Sequence, residues 1–402
     1  MKILLSALVV SSLIGVSATI KPPPMGWNWW NEVAAKYKFW HPYPNETQVL
    51  DNAKALLSTG LAAKGWRYVN LDCGYSSGKR DPTTKKLVAD PKLFPHGIPA
   101  LSKAIRAQSS LLKFGIYTSG RQCCSPQGSD DGNIGFEAAD TQQFIKEWGV
   151  TYIKNDDCGS TNASFLAMGE AINKSGVDVF YSVHAPWTHD GQGGLSPAVT
   201  STFANCARTT ADSRDDWRDI LDRATTNNKY ASVARGSGYY NDPDMLEIGV
   251  GNVTDAEGRS QLALWSLMKA PMLIGTDLTR ASKATLETLG AEEVISVNQD
   301  ALAVQGTIQQ QGRDSMVWTG PLSGGCFAAV LLNLRDDTAP NTISLSWSHL
   351  WALDGTVVSS GASMHVRDLW LGKDLGVFAD GTFNTTLAEP HANGMYRLCP
   401  RP

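Results

Sequence analysis

Between about residue 20 and residue 305 the chain alternates short runs rich in β-branched and aromatic residues with segments of helical period. Residues 67–72, 113–117, 152–156, 177–181 and 272–275 read as strands, the third led in by the apolar run 148–153. Residues 47–59, 141–148 and 163–173 read as helices between them. Strand–helix alternation at this spacing predicts parallel βαβ units. Several of these strands finish in polar or charged residues, as strands do at the catalytic rim of a closed barrel. An open doubly wound sheet would alternate in the same way, but no Gly-x-Gly-x-x-Gly loop follows the first strand.

After Gln305 the texture changes. Runs at 316–319, 326–332, 342–347, 364–370 and 394–398 are short, separated by Gly, Asp and Asn turns, and few segments of helical period remain. That pattern predicts an antiparallel β-sandwich. The expected fold class is therefore α/β, a (β/α)8 TIM barrel over residues 19–305 followed by a C-terminal antiparallel β-sandwich domain over 306–402. Residues 1–18 stand apart as a signal peptide: Lys2 supplies the positive start, 3–14 the apolar core and Val16-Ser17-Ala18 the small-residue cleavage site. The run is too short for a bilayer span, and no later segment is long and apolar enough for one. A secreted or lumenal protein is expected, and five Asn-x-Ser/Thr sequons at Asn45, Asn162, Asn173, Asn252 and Asn384 agree with that.

Composition narrows the function classes. A net charge of −4, with 18% charged residues and no basic run, argues against nucleic acid or an anionic membrane as partner. The 13 Trp and 11 Tyr suit a small-molecule carbohydrate substrate, since flat rings pack on sugar faces, although most of them serve a core. Seven Cys is an odd number, so an oxidising compartment leaves at least one thiol over or paired between chains. Monomer and homodimer both stay open. Without a Cys-x-x-Cys or His-Glu-x-x-His spacing, no metal and no other cofactor is expected. Cys326 and Cys399 lie alone in the C-terminal region and would staple an early strand of it to the last one.

The chemistry concentrates at Lys154-Asn-Asp-Asp-Cys158, where an apolar strand ends in charge. Lys154 and Asp156, two apart, leave a strand on the same face. A second carboxylate, Asp212, follows in Arg208-Thr-Thr-Ala-Asp212. Two carboxylates on neighbouring strand ends among aromatics suggest glycoside hydrolysis. By themselves both Asp residues would equally be helix N-caps or turn residues.

Seven motifs in order change that balance: Met25-Gly-Trp-Asn-Trp-Trp-Asn31, Tyr68-Val-Asn-Leu-Asp-Cys-Gly-Tyr75, Phe114-Gly-Ile-Tyr117, Lys154-Asn-Asp-Asp-Cys158, Arg208-Thr-Thr-Ala-Asp212, Asn241-Asp-Pro-Asp-Met-Leu246 and Val297-Asn-Gln-Asp300. Over residues 22–305 they resemble family 27 glycoside hydrolases, the α-galactosidase and α-N-acetylgalactosaminidase group. The resemblance implies a retaining enzyme with Asp156 as nucleophile and Asp212 as acid/base, a division of labour that needs carboxyl groups about 5–5.5 Å apart. It also needs one carboxyl ionised and the other protonated when substrate arrives. Lys154 would keep Asp156 ionised, and Arg208 would bind the sugar and also act on Asp212. Trp30 would wall the sugar, with Trp27 and Trp29 as competitors for the role. Asp72 would take the 4- and 6-hydroxyls, Tyr117 and Lys154 would line the pocket, and Asp244 and Met245 would close it near the 2-position. Asp157 would leave the strand on the other side, and Asn241, Asp242 and Pro243 would form a turn.

The chain also departs from the family pattern. The usual partner of Cys73 is missing near Pro42, so Cys73 is either free or paired with one of Cys123 and Cys124, the other bonding Cys158. Thr118-Ser-Gly-Arg121 stands where an Asp is expected after Tyr117. Tyr181-Ser-Val-His184-Ala-Pro-Trp187 occupies the loop that sets 2-substituent specificity in animal relatives. Its His184 and Trp187 match neither the acidic-aromatic pattern of α-galactosidases nor the Ser/Ala pair that admits an N-acetyl group. Free galactose is the favoured sugar, and His184 is either a substrate contact or a structural histidine. Rival substrates are α-N-acetylgalactosaminides, β-L-arabinopyranosides and isomalto-type α-glucans, and a rival class is a non-catalytic sugar-binding protein.

Overall fold

A computed structural model describes residues 20–32, 43–121, 124, 125, 128–185 and 195–401. The leader read at 1–18 and Trp187 lie outside them. The chain opens with β1 (Met25–Asn28) and β2 (Tyr68–Asn70), then a small antiparallel hairpin, β3 (Ser76–Arg80) and β4 (Leu87–Ala89). β5 (Lys113–Ser119), β6 (Tyr152–Asp156), β7 (Phe180–Val183), β8 (Cys206–Arg208), β9 (Tyr240–Asp242) and β10 (Met272–Ile274) follow, with helices between them. Eight of these strands make one parallel sheet in the order β10-β1-β2-β5-β6-β7-β8-β9. Beyond β9 the chain closes the ring: Leu246 bridges Ile274 in parallel, its N–H donating to the Leu273 carbonyl at 2.9 Å and its carbonyl accepting from Gly275 at 3.2 Å. The expected closed barrel is therefore present.

Local sequence explains the covering helices. Glu46–Ser58, Asn162–Lys174 and Asp255–Leu267 each begin with a reciprocal cap, Asn45 with Gln48, Thr161 with Ser164, and Thr254 with Glu257. Glu46–Ser58 presents Val49, Ala53 and Leu56 to the barrel at the spacing of one helical face. Asp255–Leu267 is buried almost all round because it is packed from two sides, by the barrel and by the C-terminal sheet.

That sheet joins β11 (Thr307–Gln311), β12 (Ser315–Pro321), β13 (Phe327–Asn333), β15 (Met364–Asp368), β16 (Lys373–Phe378) and β18 (Asn393–Pro400) in the antiparallel order β11-β12-β13-β18-β15-β16. A second layer pairs β14 (Asn341–Ser346) with β17 (Thr382–Leu387). Alternate residues of β13 face opposite ways: Ala328, Val330 and Leu332 join the barrel's core, whereas Phe327, Ala329 and Leu331 pack with Ile343, Leu345 and Phe383 of the second layer. Cys326 and Cys399 are disulfide-bonded, as expected.

Three expectations need correction. The apolar run 148–151 is not strand: Gln143–Glu147 is a π-helical turn, and the sheet begins at Tyr152. The strand expected at 177–181 starts at Phe180 and runs to Val183. Asn241 and Asp242 are buried residues of β9 rather than a turn, with Asn241 donating to the Tyr230 carbonyl and to Gln305 Oε1, both at 2.8 Å.

Candidate active site

The C-terminal ends of seven barrel strands bring the candidate catalytic and sugar-binding residues to one rim. β1 leads to Trp30, β2 to Asp72, and β5 carries Tyr117. β6 carries Lys154 and Asp156, β7 leads to His184, and β8 carries Arg208 and leads to Asp212. β9 leads to Asp244 and Met245. The three tryptophans of the first motif separate cleanly. Trp27 and Trp29 are 2% and 1% exposed, Trp27 donating to the Thr276 carbonyl and Trp29 stacking on Phe94. Only Trp30 is partly uncovered, resting on the apolar cluster of Tyr152, Met245 and Leu273. Met245 thus supports the Trp30 wall from within the barrel.

On one side of the mouth Asp72, fully buried, accepts from Asn28 Nδ2 at 2.6 Å, from Lys154 Nζ at 2.9 Å and from the Cys73 N–H at 2.8 Å. Asn28 was missed in the sequence, although it is the polar end of an apolar strand. Its Oδ1 also takes the Trp30 N–H at 2.9 Å, tying the aromatic wall to Asp72. Burial alone would lower the Lys154 ammonium, but the charges of Asp72 and Asp156 outweigh it and hold the ammonium above its ordinary value.

Asp156 is clamped from several directions. Burial pushes its carboxyl up, yet the Lys154 charge, the His184 hydrogen bond and charge, and the Tyr117 hydroxyl together hold it well below the usual carboxylate range. His184 Nδ1 lies 2.7 Å from Asp156 Oδ1. The buried Tyr117 hydroxyl has no hydrogen bond of good geometry, and the Lys154 ammonium sits 5.3 Å from its ring centre. Asp157 is not turned clear of the site as expected: its carboxyl lies within 4.8 Å of that of Asp156, and burial raises it. Asp156, Asp157 and Cys158 crowd together, but the Cys158 sulfur is committed to a disulfide, so this is no metal-ligand set.

The loop that follows β6 is tied to β5. The Arg121 N–H donates to the Cys158 carbonyl at 2.6 Å, and the Gly120 N–H to Ser160 Oγ at 2.7 Å. A Cβ on Gly120 would fall 2.4 Å from the Ser160 backbone, so the close approach requires glycine. Cys73 is paired with Cys124, which settles one of the two alternatives left open.

The opposite side is built on Arg208. Its Nη2 lies 3.0 Å from Asp244 Oδ2 and 3.3 Å from Asp212 Oδ1. Asp244 adopts φ 93°, a strained conformation for a residue other than glycine. It is held there by its own N–H to Asp242 Oδ1 at 2.9 Å, by Trp265 Nε1 to its carbonyl at 2.7 Å, and by the Ser213 and Met245 N–H groups on its carboxylate at 2.6 and 2.8 Å. Burial raises Asp242 to about 6 against the pull of Arg208. Asp212 differs from all of these, with 54% of its side chain exposed. Burial pushes its carboxyl up, but Arg208, then His184 and Lys154, prevail and lower it, while the Asp156 charge works to raise it. Its carbonyl is anchored by Arg223 Nη2 at 3.0 Å.

Residues 22–300 match the family model described as alpha galactosidase A, and residues 312–398 match the alpha galactosidase C-terminal beta sandwich domain. A probable alpha-galactosidase of Dictyostelium discoideum is 35% identical over 390 residues, covering 94% of this chain and 92% of that protein. An alpha-galactosidase of Coffea arabica is 39% identical over 385 residues, covering 94% of each. The crystal structure of alpha-galactosidase I from Mortierella vinacea superposes with a TM-score of 0.80 at 29% identity, covering 95% of this chain and 98% of that one. The chain belongs to the α-galactosidase family, glycoside hydrolase family 27.

Proposed function

We propose that the protein is a secreted, retaining exo-glycosidase that removes terminal α-D-galactosyl residues by double displacement. Asp156 is the nucleophile and Asp212 the acid/base. The observation that carries this reading is the contrast between the two carboxyls. Asp156 is covered, ionised and surrounded by Lys154, His184 and Tyr117, as a nucleophile requires. Asp212 stands half-open to solvent, where a leaving group departs and water enters. Their coupling supports the role switch. While Asp156 is ionised, its charge offsets part of the lowering of Asp212 by Arg208, His184 and Lys154. Once Asp156 becomes a neutral glycosyl ester that influence ends, Asp212 falls, and it becomes a base for the incoming water. Trp30, Asp72, Tyr117, Lys154, Arg208 and Asp244 bind and orient the sugar, with no cofactor.

Relatives named α-galactosidase favour galactose as the sugar. The test is hydrolysis of p-nitrophenyl α-D-galactopyranoside beside the α-N-acetylgalactosaminide and the β-L-arabinopyranoside. Preference for the galactoside is the expected result, and silence on all three by folded protein would overturn the reading. Secretion agrees with the disulfide-bonded Cys73, Cys124, Cys158, Cys326 and Cys399, and all five sequon asparagines are exposed.

The pH dependence follows from Asp212. Its carboxyl is lowered in the free protein, so it holds the catalytic proton only at acidic pH. As pH rises from the acidic range towards neutrality, kcat/KM for an alkyl α-galactoside should fall by up to about tenfold per unit, each unit removing that fraction of the acid form. A dinitrophenyl galactoside, whose departure needs no proton, should show a flatter alkaline limb. Parallel profiles for the two substrates would contradict the assignment.

A further inference from the structure

β6 and β7 pair with Asn155 opposite Val183, and the His184 N–H donates to the Asn155 carbonyl at 2.8 Å. That register sets the His184 ring beside the next residue of β6, with Nδ1 2.7 Å from Asp156 Oδ1 and each side chain 16% exposed. The same Oδ1 accepts the Asp157 N–H at 3.0 Å. An ionised carboxylate has no proton to give, so Nδ1 is the donor. Lys154, whose charge also acts on Asp156, places its hydrogen bond on Asp72 instead. Oδ1 is therefore occupied twice, and His184 supplies the side-chain hydrogen bond of good geometry that orients the carboxylate.

We infer that His184 is a positioning residue for the nucleophile, fixing Asp156 through Oδ1 so that Oδ2 bonds the anomeric carbon. The inference rests on the retaining reading above. In the first step the Oδ2–C1 bond forms as the bond from C1 to the leaving oxygen breaks, and the Asp212 proton moves to that oxygen. Asp156 becomes an ester, and the hydrogen bond at Oδ1 loses its ionic partner. In the second step water adds to C1, its proton passes to Asp212, and the C1–Oδ2 electron pair returns to the carboxylate. His184 then meets the regenerated charge with a charge-assisted hydrogen bond, so it also favours release. This differs from both readings the sequence left open for His184, a substrate contact and a structural histidine. The charged and titratable groups around the pair are Lys154 from β6 and Asp157 just after it, Tyr117 from β5, and Arg208 and Asp212 from β8 and its loop.

The test compares His184→Ala and His184→Asn in the full-length protein, Asn keeping an N–H donor near the Nδ1 position. kcat and KM for p-nitrophenyl α-galactoside are measured separately, together with inhibition by galactose. The loss should fall on kcat rather than on KM, because positioning acts on the reacting bond and not on sugar binding. The Ala variant should lose roughly 10- to 100-fold in kcat, the Asn variant less, with galactose inhibition nearly unchanged. If the Ala variant does not fold, the kcat of the Asn variant decides. A loss confined to KM and to galactose binding, with kcat unchanged, overturns the inference and returns His184 to the sugar. Should Asp156→Ala itself be active, the retaining reading fails instead, so the two failures are distinguishable.

Discussion

Asp156→Ala should lower kcat/KM for α-galactosides by roughly 10⁴- to 10⁶-fold, the scale on which nucleophile deletions act. In the proposed mechanism the carboxylate supplies the bond that holds the sugar between the two displacements, and no neighbour replaces it. Asp157 lies close by, but it is neither hydrogen-bonded by His184 nor set on the strand face of Lys154. The fold should survive the change. Lys154 keeps its ion pair with Asp72, so its ammonium is not left as an unpaired buried charge in the barrel. The side chain is only 16% exposed, and its loss removes a charge-assisted hydrogen bond, costing about 1.5–3 kcal/mol. Thermal unfolding therefore belongs beside the kinetics. Azide gives a second readout: filling the space of the lost carboxylate, it should attack C1 from that side and yield β-galactosyl azide. A wild-type rate in the variant, or azide addition from the opposite face, would sink the nucleophile assignment.

The site was legible in the sequence because its parts are short, ordered and confined to strand ends. Asp72 pairs with Lys154, Asp156 with His184, and Arg208 with Asp212 and Asp244, all at one rim. What escaped the sequence depends on register or on burial. An apolar run such as 148–153 has no period that separates strand from packed turn: Trp148 and Val150 are buried as strand residues would be. Pairing with Gly115 and Phe180 nevertheless begins only at Tyr152. Asn-Asp-Pro is turn chemistry read locally, yet Asn241 finds its partners at Tyr230 and Gln305, far away along the chain. The His184–Asp156 contact arises from how two strands are staggered, and the Cys73–Cys124 bond from how two loops fold together. Neither quantity is written in residue order.

Asp212→Ala should behave differently, and the difference is the evidence. General acid catalysis contributes about 10²–10⁴-fold where the leaving group needs a proton. Alkyl and oligosaccharide galactosides should therefore lose roughly that much. A dinitrophenyl galactoside leaves as a stable anion, so its first step should be nearly untouched. Its second step still needs the base that Asp212 provides, and the glycosyl-enzyme should accumulate as a burst of product followed by slow turnover. Losing the Asp212 carboxylate also leaves Arg208 with Asp244 as its remaining close ion-pair partner at this rim. That contact is buried and independently supported by the Ser213 and Met245 N–H groups, so the sugar side of the pocket should hold its geometry and galactose inhibition should change little. Adding azide should then accelerate turnover of the dinitrophenyl substrate, because an anionic nucleophile needs no general base. Its product should be the α-galactosyl azide, formed on the face opposite the Asp156 ester. Equal losses on activated and natural galactosides, with no burst and no response to azide, would mean that Asp212 acts through the fold of its loop rather than through its proton.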